Sequence, residues 1–207
     1  MKKLLAFSLF LLLLAACAPQ ATLTSEAPLR ATNVFPTAES LRAATEAPPA
    51  AEPPAGDLTL TSERFTEGQP IPEKYTCTDQ NVSPALAWTN PPRGTETFAL
   101  IMDDPDAPGS TWVHWVLYNI PAATRSLPDV LPGQGGIAYI GNHGMNTPGN
   151  TYYEGPCPPS GTHRYFFKLF ALDTALDFAS SPDASELTAA MEGHILAETQ
   201  LMGTYAR

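Results

Sequence analysis

Apolar residues in this chain fall into short runs separated by proline and glycine clusters. "LTLTSERF" (58–65) alternates apolar and polar positions. "TFALIMDD" (97–104) is continuously apolar until it ends in two acids, and "WVHWVLYNI" (112–120) is rich in Val, Trp and Tyr. "HRYFFKLFALD" (163–173) is the longest run. Between them lie "NPPRGTE", "DDPDAPGST", "LPGQGG", "GMNTPGN" and "GPCPPSG", segments in which proline and glycine favour turns over regular structure. Short strands split by turn clusters predict an antiparallel, mostly-β architecture, and no internal repeat is evident. A single helix is predicted near the end. Asp183 suits an N-cap, with Glu186 three residues on as its reciprocal partner and Pro182 just before. Leu187, Met191, His194, Ile195 and Leu201 recur at helical spacing, so the helix is expected to run past Gly193 and end before "MGTYAR". That glycine weakens a helix by about 1 kcal/mol relative to alanine.

The first fifty-six residues follow a different pattern. Lys2 and Lys3 precede the apolar stretch Leu4 to Leu14, too short to span a bilayer comfortably, which reads as a signal peptide over 1–16. Leu14-Ala15-Ala16-Cys17 resembles a bacterial lipobox, with Cys17 as the lipidated mature N-terminus. The alternative is ordinary cleavage with Cys17 incidental. Residues 17–56, including "ATEAPPAAEPPAG", have no hydrophobic period and cannot offset their ordering entropy, so they read as a disordered, semi-stiff tether. Residues 57–207 remain as one domain, long enough to enclose its own core. The expected location is the bacterial cell envelope, lipid-anchored, with the domain outside the cytoplasm.

Charge narrows the function classes. The chain carries 11 basic and 21 acidic side chains, a formal net charge of −10, and has no Lys/Arg cluster. Nucleic-acid binding is therefore not expected, because phosphate contacts need cations. An anion would need a local site that holds it against the field of the whole protein. Outside the cytosol, Cys77 and Cys157 most economically form one disulfide; two free thiols are the alternative.

The candidate chemistry lies at strand ends. The Asp103-Asp104-Pro105-Asp106 turn follows one strand. The next places Trp112, His114 and Val116 on one face, and His163 and Tyr165 share a face of another. If these strands are neighbours, Asp104, His114, His163 and Tyr165 converge. Arg164 then lies on the opposite face, where it would tie a carboxylate. Asp103 and Asp106 read as turn formers, His143 and His194 as structural, and Trp88, Trp112 and Trp115 as packing.

Four chemistries fit such a constellation to different degrees. A serine hydrolase lacks its Gly-x-Ser-x-Gly elbow, and Ser160 is an unusual nucleophile setting. A cysteine hydrolase would pair Cys157 with a histidine, but needs that thiol reduced. Two histidines and a carboxylate are a legal zinc set, yet no His-x-x-x-His or Cys-x-x-Cys spacing supports one, and neither metal nor cofactor is expected. An anion pocket would use imidazoles, a phenol and backbone N–H groups held by proline-fixed loops.

"DDPDAPGSTWVHWVLYNIP" followed by "YEGPCPPSGTHRYFFKLFALD" resembles the two signature regions of the phosphatidylethanolamine-binding protein family, most closely its bacterial, Raf-kinase-inhibitor-like branch. "YTCTDQNVSPALAW" (75–88) and "AAMEGHILAETQLMGTY" (189–205) look like that branch too. The resemblance covers about residue 58 to the C-terminus. It implies a large antiparallel sheet packed with a smaller one, a C-terminal helix or helices, and a small pocket for phosphate or a phospholipid headgroup. By motif position the pocket falls on Asp104 and Pro105, His114, the N–H of Cys157, His163 and Tyr165. The implied protein is a binding or regulatory module, with a protein target unidentified. A hydrolase using His114, His163 and Asp104 is the alternative. Kinase binding, a property of eukaryotic members, is not carried over.

Overall fold

The computed structural model describes residues 57–129 and 140–207. Residues 1–56, which hold the expected signal peptide, Cys17 and tether, lie outside them. The described chain forms two antiparallel sheets. The smaller contains β1 (Thr59–Thr61), β2 (Leu86–Thr89) and β5 (Ser126–Leu127), in the order β1-β2-β5. The larger contains β3 (Thr97–Asp104), β4 (Trp112–Pro121), β6 (Asn142–His143), β7 (Thr162–Leu172) and β8 (Ile195–Ala206), in the order β6-β4-β3-β7-β8. One helix, α1 (Ala184–Met191), precedes β8.

β3 is central, and all eight of its residues are buried, which is why its sequence is continuously apolar rather than alternating. One face of the large sheet meets the small sheet in a core that contains Leu60, Trp88, Phe98, Leu100, Met102, Trp115, Leu117, Phe167 and Leu169. The opposite face packs Ala99, Ile101, Val116 and Tyr118 against Leu187 and Met191 of α1 and Leu176. β7 alternates: His163, Tyr165, Phe167, Leu169 and Ala171 are buried, while Arg164, Phe166 and Lys168 face outward and Phe170 packs at the edge of the second core. Each fully buried large apolar side chain contributes about 1.5–3 kcal/mol, so these two cores dominate the stability of the fold.

The capping box forms as expected. Asp183 accepts from the N–H groups of Ser185 and Glu186, and the Glu186 side chain accepts from Asp183 N–H. The helix does not continue past Gly193. It stops at Met191, and Gly193 adopts φ +81°, a conformation that reverses the chain at little cost only for glycine. Ile195 and Leu201 therefore lie in β8, paired with β7 from Leu172↔Ile195 to Thr162↔Ala206. Their helical spacing is coincidental. A second correction concerns β4. Its pairing with β3 shifts between Met102↔Trp115 and Asp103↔Val113, so His114 is the extra residue of a β-bulge. Val113 and Val116 turn to the helix side, Trp115 and Leu117 to the other core. His114 and Val116 thus do not share a face.

Candidate functional site

Asp104 closes β3 and is 3 % exposed as a residue. A buried carboxylate needs partners, and it has two. Oδ1 accepts from the N–H of Asp106 at 2.8 Å, and Oδ2 accepts from Nδ1–H of His163 at 2.7 Å. The next acid in the turn also grips β7: Arg164 donates to Asp106 from its backbone N–H at 3.0 Å, from Nε at 2.8 Å and from Nη2 at 2.7 Å. The Arg164 guanidinium holds the Asp106 carboxyl at about 2, well below the ordinary carboxylate value. Asp106 is therefore a clamp as well as a turn former, and Asp103 pairs with Lys168 on the outward face. Pro105, between the two clamped acids, is exposed and does not line the cavity; its fixed φ shapes the turn.

The bulge in β4 turns His114 toward the same place. Its ring meets the buried ring of Tyr165 edge-on at 5.3 Å, and its Nδ1–H donates to the carbonyl of Glu154 at 2.8 Å. The N–H of Glu154 returns a bond to the His114 carbonyl at 3.1 Å. Burial pushes the His114 imidazole below its ordinary value, and this outweighs the opposing pull of the Glu154 carbonyl and of Asp104. The ring is consequently neutral at neutral pH. Both histidines give Nδ1 to the protein. No Nε2 hydrogen bond of either histidine is found among the described residues, while the Gly155 carbonyl also acts on the His114 ring.

Cys77 and Cys157 form a disulfide that joins the 76–81 loop to the proline-rich loop after Glu154. Three hydrogen bonds run beside it: Cys77 N–H to the Pro156 carbonyl, Gly155 N–H to Asn81 Oδ1, and Tyr153 Oη to the Tyr75 carbonyl. The cavity between these elements has a volume of about 410 Å³. Its floor includes Asp104, His114 and His163; its walls include Asn81, Glu154, Gly155, Cys77, Cys157, Pro158 and Pro159; its rim includes Ala107, Pro108, Trp112 and Pro148.

Asp104, His114, Cys157 and His163 line one cavity. Tyr165 lies behind His114 rather than in the wall: it is fully buried, and its hydroxyl, near Asp104 and the Cys157 N–H, makes no well-formed hydrogen bond among the described residues. Burial foremost, and then the nearby Asp104 charge, push the phenol well above its ordinary value, while the Cys157 N–H opposes them. Trp112 is not packing; it is 40 % exposed at the cavity rim. The sequence reading also missed Asn81 and Glu154. Asn81 has a positive φ of 54°, which asparagine tolerates, and Glu154 immediately precedes the Gly-Pro-Cys-Pro-Pro motif. Their chemistry is ordinary enough that only the position next to the motif signals them.

Comparison with known proteins fits this architecture. A family model for phosphatidylethanolamine-binding protein matches residues 61–206. A UPF0098 protein of Methanothermobacter thermautotrophicus is 44 % identical over 150 residues, covering 72 % of this chain and 99 % of the relative. A UPF0098 protein of Aquifex aeolicus is 43 % identical over 153 residues, covering 72 % and 89 %. Among solved structures, a phosphatidylethanolamine-binding protein homologue from Chlamydia trachomatis superposes with a TM-score of 0.67 at 36 % identity, covering 73 % of this chain and 98 % of its own. YbcL of Escherichia coli gives 0.68 at 30 % identity, covering 73 % and 99 %. With a family match over most of its length and relatives covered almost end to end, the chain belongs to the phosphatidylethanolamine-binding protein family.

Proposed function

We propose that this protein is a surface-tethered lipoprotein whose domain captures a small anion, such as phosphate or a phospholipid headgroup, in the cavity of Asp104, His114 and His163. The observation that carries the reading is that both buried histidines spend Nδ1 on the protein, while no Nε2 hydrogen bond of either is found among the described residues. A neutral His114 accepts a hydrogen bond from a protonated phosphate oxygen; once protonated, it donates to an anionic one. By motif position Cys157 contributes to the same wall, and Glu154, whose carboxylate accepts from Asn146 and Asn150, adds negative charge beside it. Cys17 would supply the membrane anchor in the cell envelope, with the 17–56 segment as tether.

Binding is favoured over turnover because the thiol nearest the histidines is occupied in a disulfide. The 2.7 Å Asp104–His163 contact also fits an acid–base pair, which keeps a hydrolase as the second reading. Protein purified without added anions should show, by native mass spectrometry, a displaceable small guest. It should bind phosphate or phosphoethanolamine saturably and hydrolyse no member of an ester and phosphoester panel. Turnover that is lost in His163→Ala would reverse the choice. Cys17→Ser should release the protein from the membrane fraction or block its maturation; unchanged fractionation and mass would remove the lipoprotein part.

A further inference from the structure

The disulfide is placed unlike a buried staple. Cys157 is exposed, Cys77 is half-buried, and both line the cavity. The guanidinium of Arg207 lies against the bridge, with Nη1 at 3.3 Å from Cys157 Sγ and 3.8 Å from Cys77 Sγ. Reciprocal backbone bonds with Gly161, at 3.1 and 3.2 Å, hold Arg207 there. No carboxylate of the described residues forms an ion pair with this guanidinium, whereas Arg64, Lys74, Arg164 and Lys168 all have acidic partners. A cation beside sulfur stabilises the thiolate, both as leaving group and as product. The three hydrogen bonds that run parallel to the bridge would keep the two loops together once it opens.

We propose that Cys77–Cys157 is a thiol–disulfide exchange centre set in the cavity wall, taking a dithiol as its partner, with Arg207 as the positioning residue for the thiolates. A thiolate of the dithiol attacks the exposed Cys157 sulfur. The Sγ–Sγ bond breaks, and Cys77 leaves with the electron pair. The second thiolate of the dithiol then attacks the sulfur of its own molecule in the mixed disulfide. That step closes the oxidised partner and releases Cys157 as a thiolate beside Arg207. Two electrons pass from the dithiol to the bridge. The two protons it loses go to the cysteines or to solvent.

The exchange has a consequence for the cavity that rests on the proposed anion-binding function. Asp104 and Glu154 are among the lining residues, which include no lysine or arginine, and the Glu154 carboxylate is held by Asn146 and Asn150. A thiolate in the wall adds negative charge, so reduction weakens anion binding. By linkage, a bound anion makes the bridge harder to open.

The test uses the full chain in buffers of reduced and oxidised dithiothreitol. Bridge opening is read by alkylation and intact mass, and the fold by circular dichroism, for wild type, Arg207→Gln and Arg207→Lys. The bridge should open while the dichroism stays native. Arg207→Gln should open about ten-fold more slowly, with an equilibrium about ten-fold more oxidised, equivalent to about 30 mV. Arg207→Lys should stay near wild type. Opening only together with unfolding, or equal behaviour of Arg207→Gln and wild type, overturns the proposal. Inorganic phosphate should shift the equilibrium toward the oxidised form. Phosphate that binds without shifting it overturns the coupling, while phosphate that does not bind the wild type at all overturns the anion pocket and leaves the exchange centre standing.

Discussion

His114 shows how one residue sets the behaviour of the cavity. A carboxylate near an imidazole ordinarily raises its pKa, and Asp104 is nearby, but burial is the larger effect and the net direction is downward. Anion binding should therefore strengthen only as pH falls below about 6.5, where the imidazole begins to charge and can donate to an anionic phosphate oxygen. Calorimetric titration with phosphate at pH 7.5 and 5.5 checks this. His114→Ala should bind ten-fold to more than one hundred-fold more weakly, the equivalent of a charge-assisted hydrogen bond of roughly 1.5–3 kcal/mol, and equal affinity in wild type and variant would place the anion elsewhere. The same depressed pKa has an opposite effect on the fold. Below about 6.5 the unfolded chain takes up a proton that the folded His114 resists, so this contribution to stability is complete above that pH and declines as pH falls toward the folded value. The fall in melting temperature between pH 7 and pH 5 should be smaller in His114→Gln than in wild type. Of this residue, the sequence showed its identity and its motif. It did not show the bulge that aims it, because one extra residue in a strand leaves no mark in an apolar run such as "WVHWVLYNI".

At the scale of elements, the strands were readable where burial imposes a plain pattern. β3 matches "TFALIMDD" because both of its faces are covered, and β7 alternates because only one is. β8 was misread because it is an edge strand with mostly exposed residues in its first half; without a buried face there is no period of two to detect. The helix start was legible from its capping box, which is local chemistry. Asp183→Ala should cost about 1 kcal/mol in denaturant unfolding and leave phosphate binding unchanged, since this cap lies outside the cavity lining. Gly155 should respond in the other way. A Cβ there would collide with the Tyr75 carbonyl, with Asn81 Oδ1 at 2.7 Å and with Thr76 Cα at 2.8 Å, and backbone atoms cannot yield as a side-chain tip does. Gly155→Ala should force apart the two loops that the disulfide joins, destabilising the domain by roughly 1–3 kcal/mol and weakening binding together with it. Loss of stability with full affinity would mean that the cavity does not depend on this contact.

For the whole molecule, two long-range effects act on the cavity. The first is the bridge across 80 residues, which in the chain-entropy model contributes roughly 4 kcal/mol. Because small domains have about 5–15 kcal/mol in all, Cys77→Ser/Cys157→Ser should still fold, at a lower denaturant midpoint. The second is charge. With 21 acidic and 11 basic side chains, the protein surrounds its cavity with a field that opposes an incoming anion. At about 10 mM ionic strength the Debye length is roughly 30 Å, so acids far from the cavity contribute; near 150 mM it is about 8 Å, and only the immediate surroundings count. Raising potassium chloride across that interval should therefore strengthen phosphate binding, the reverse of the behaviour of a basic phosphate-binding protein. Chloride competing for the cavity would oppose this, so a net rise is the stringent outcome. The measurement is phosphate affinity at the two salt concentrations, at pH 7.5 where His114 is neutral. A steep fall in affinity would instead show that a nearby cation, with Arg207 the closest to the wall, outweighs the field of the molecule.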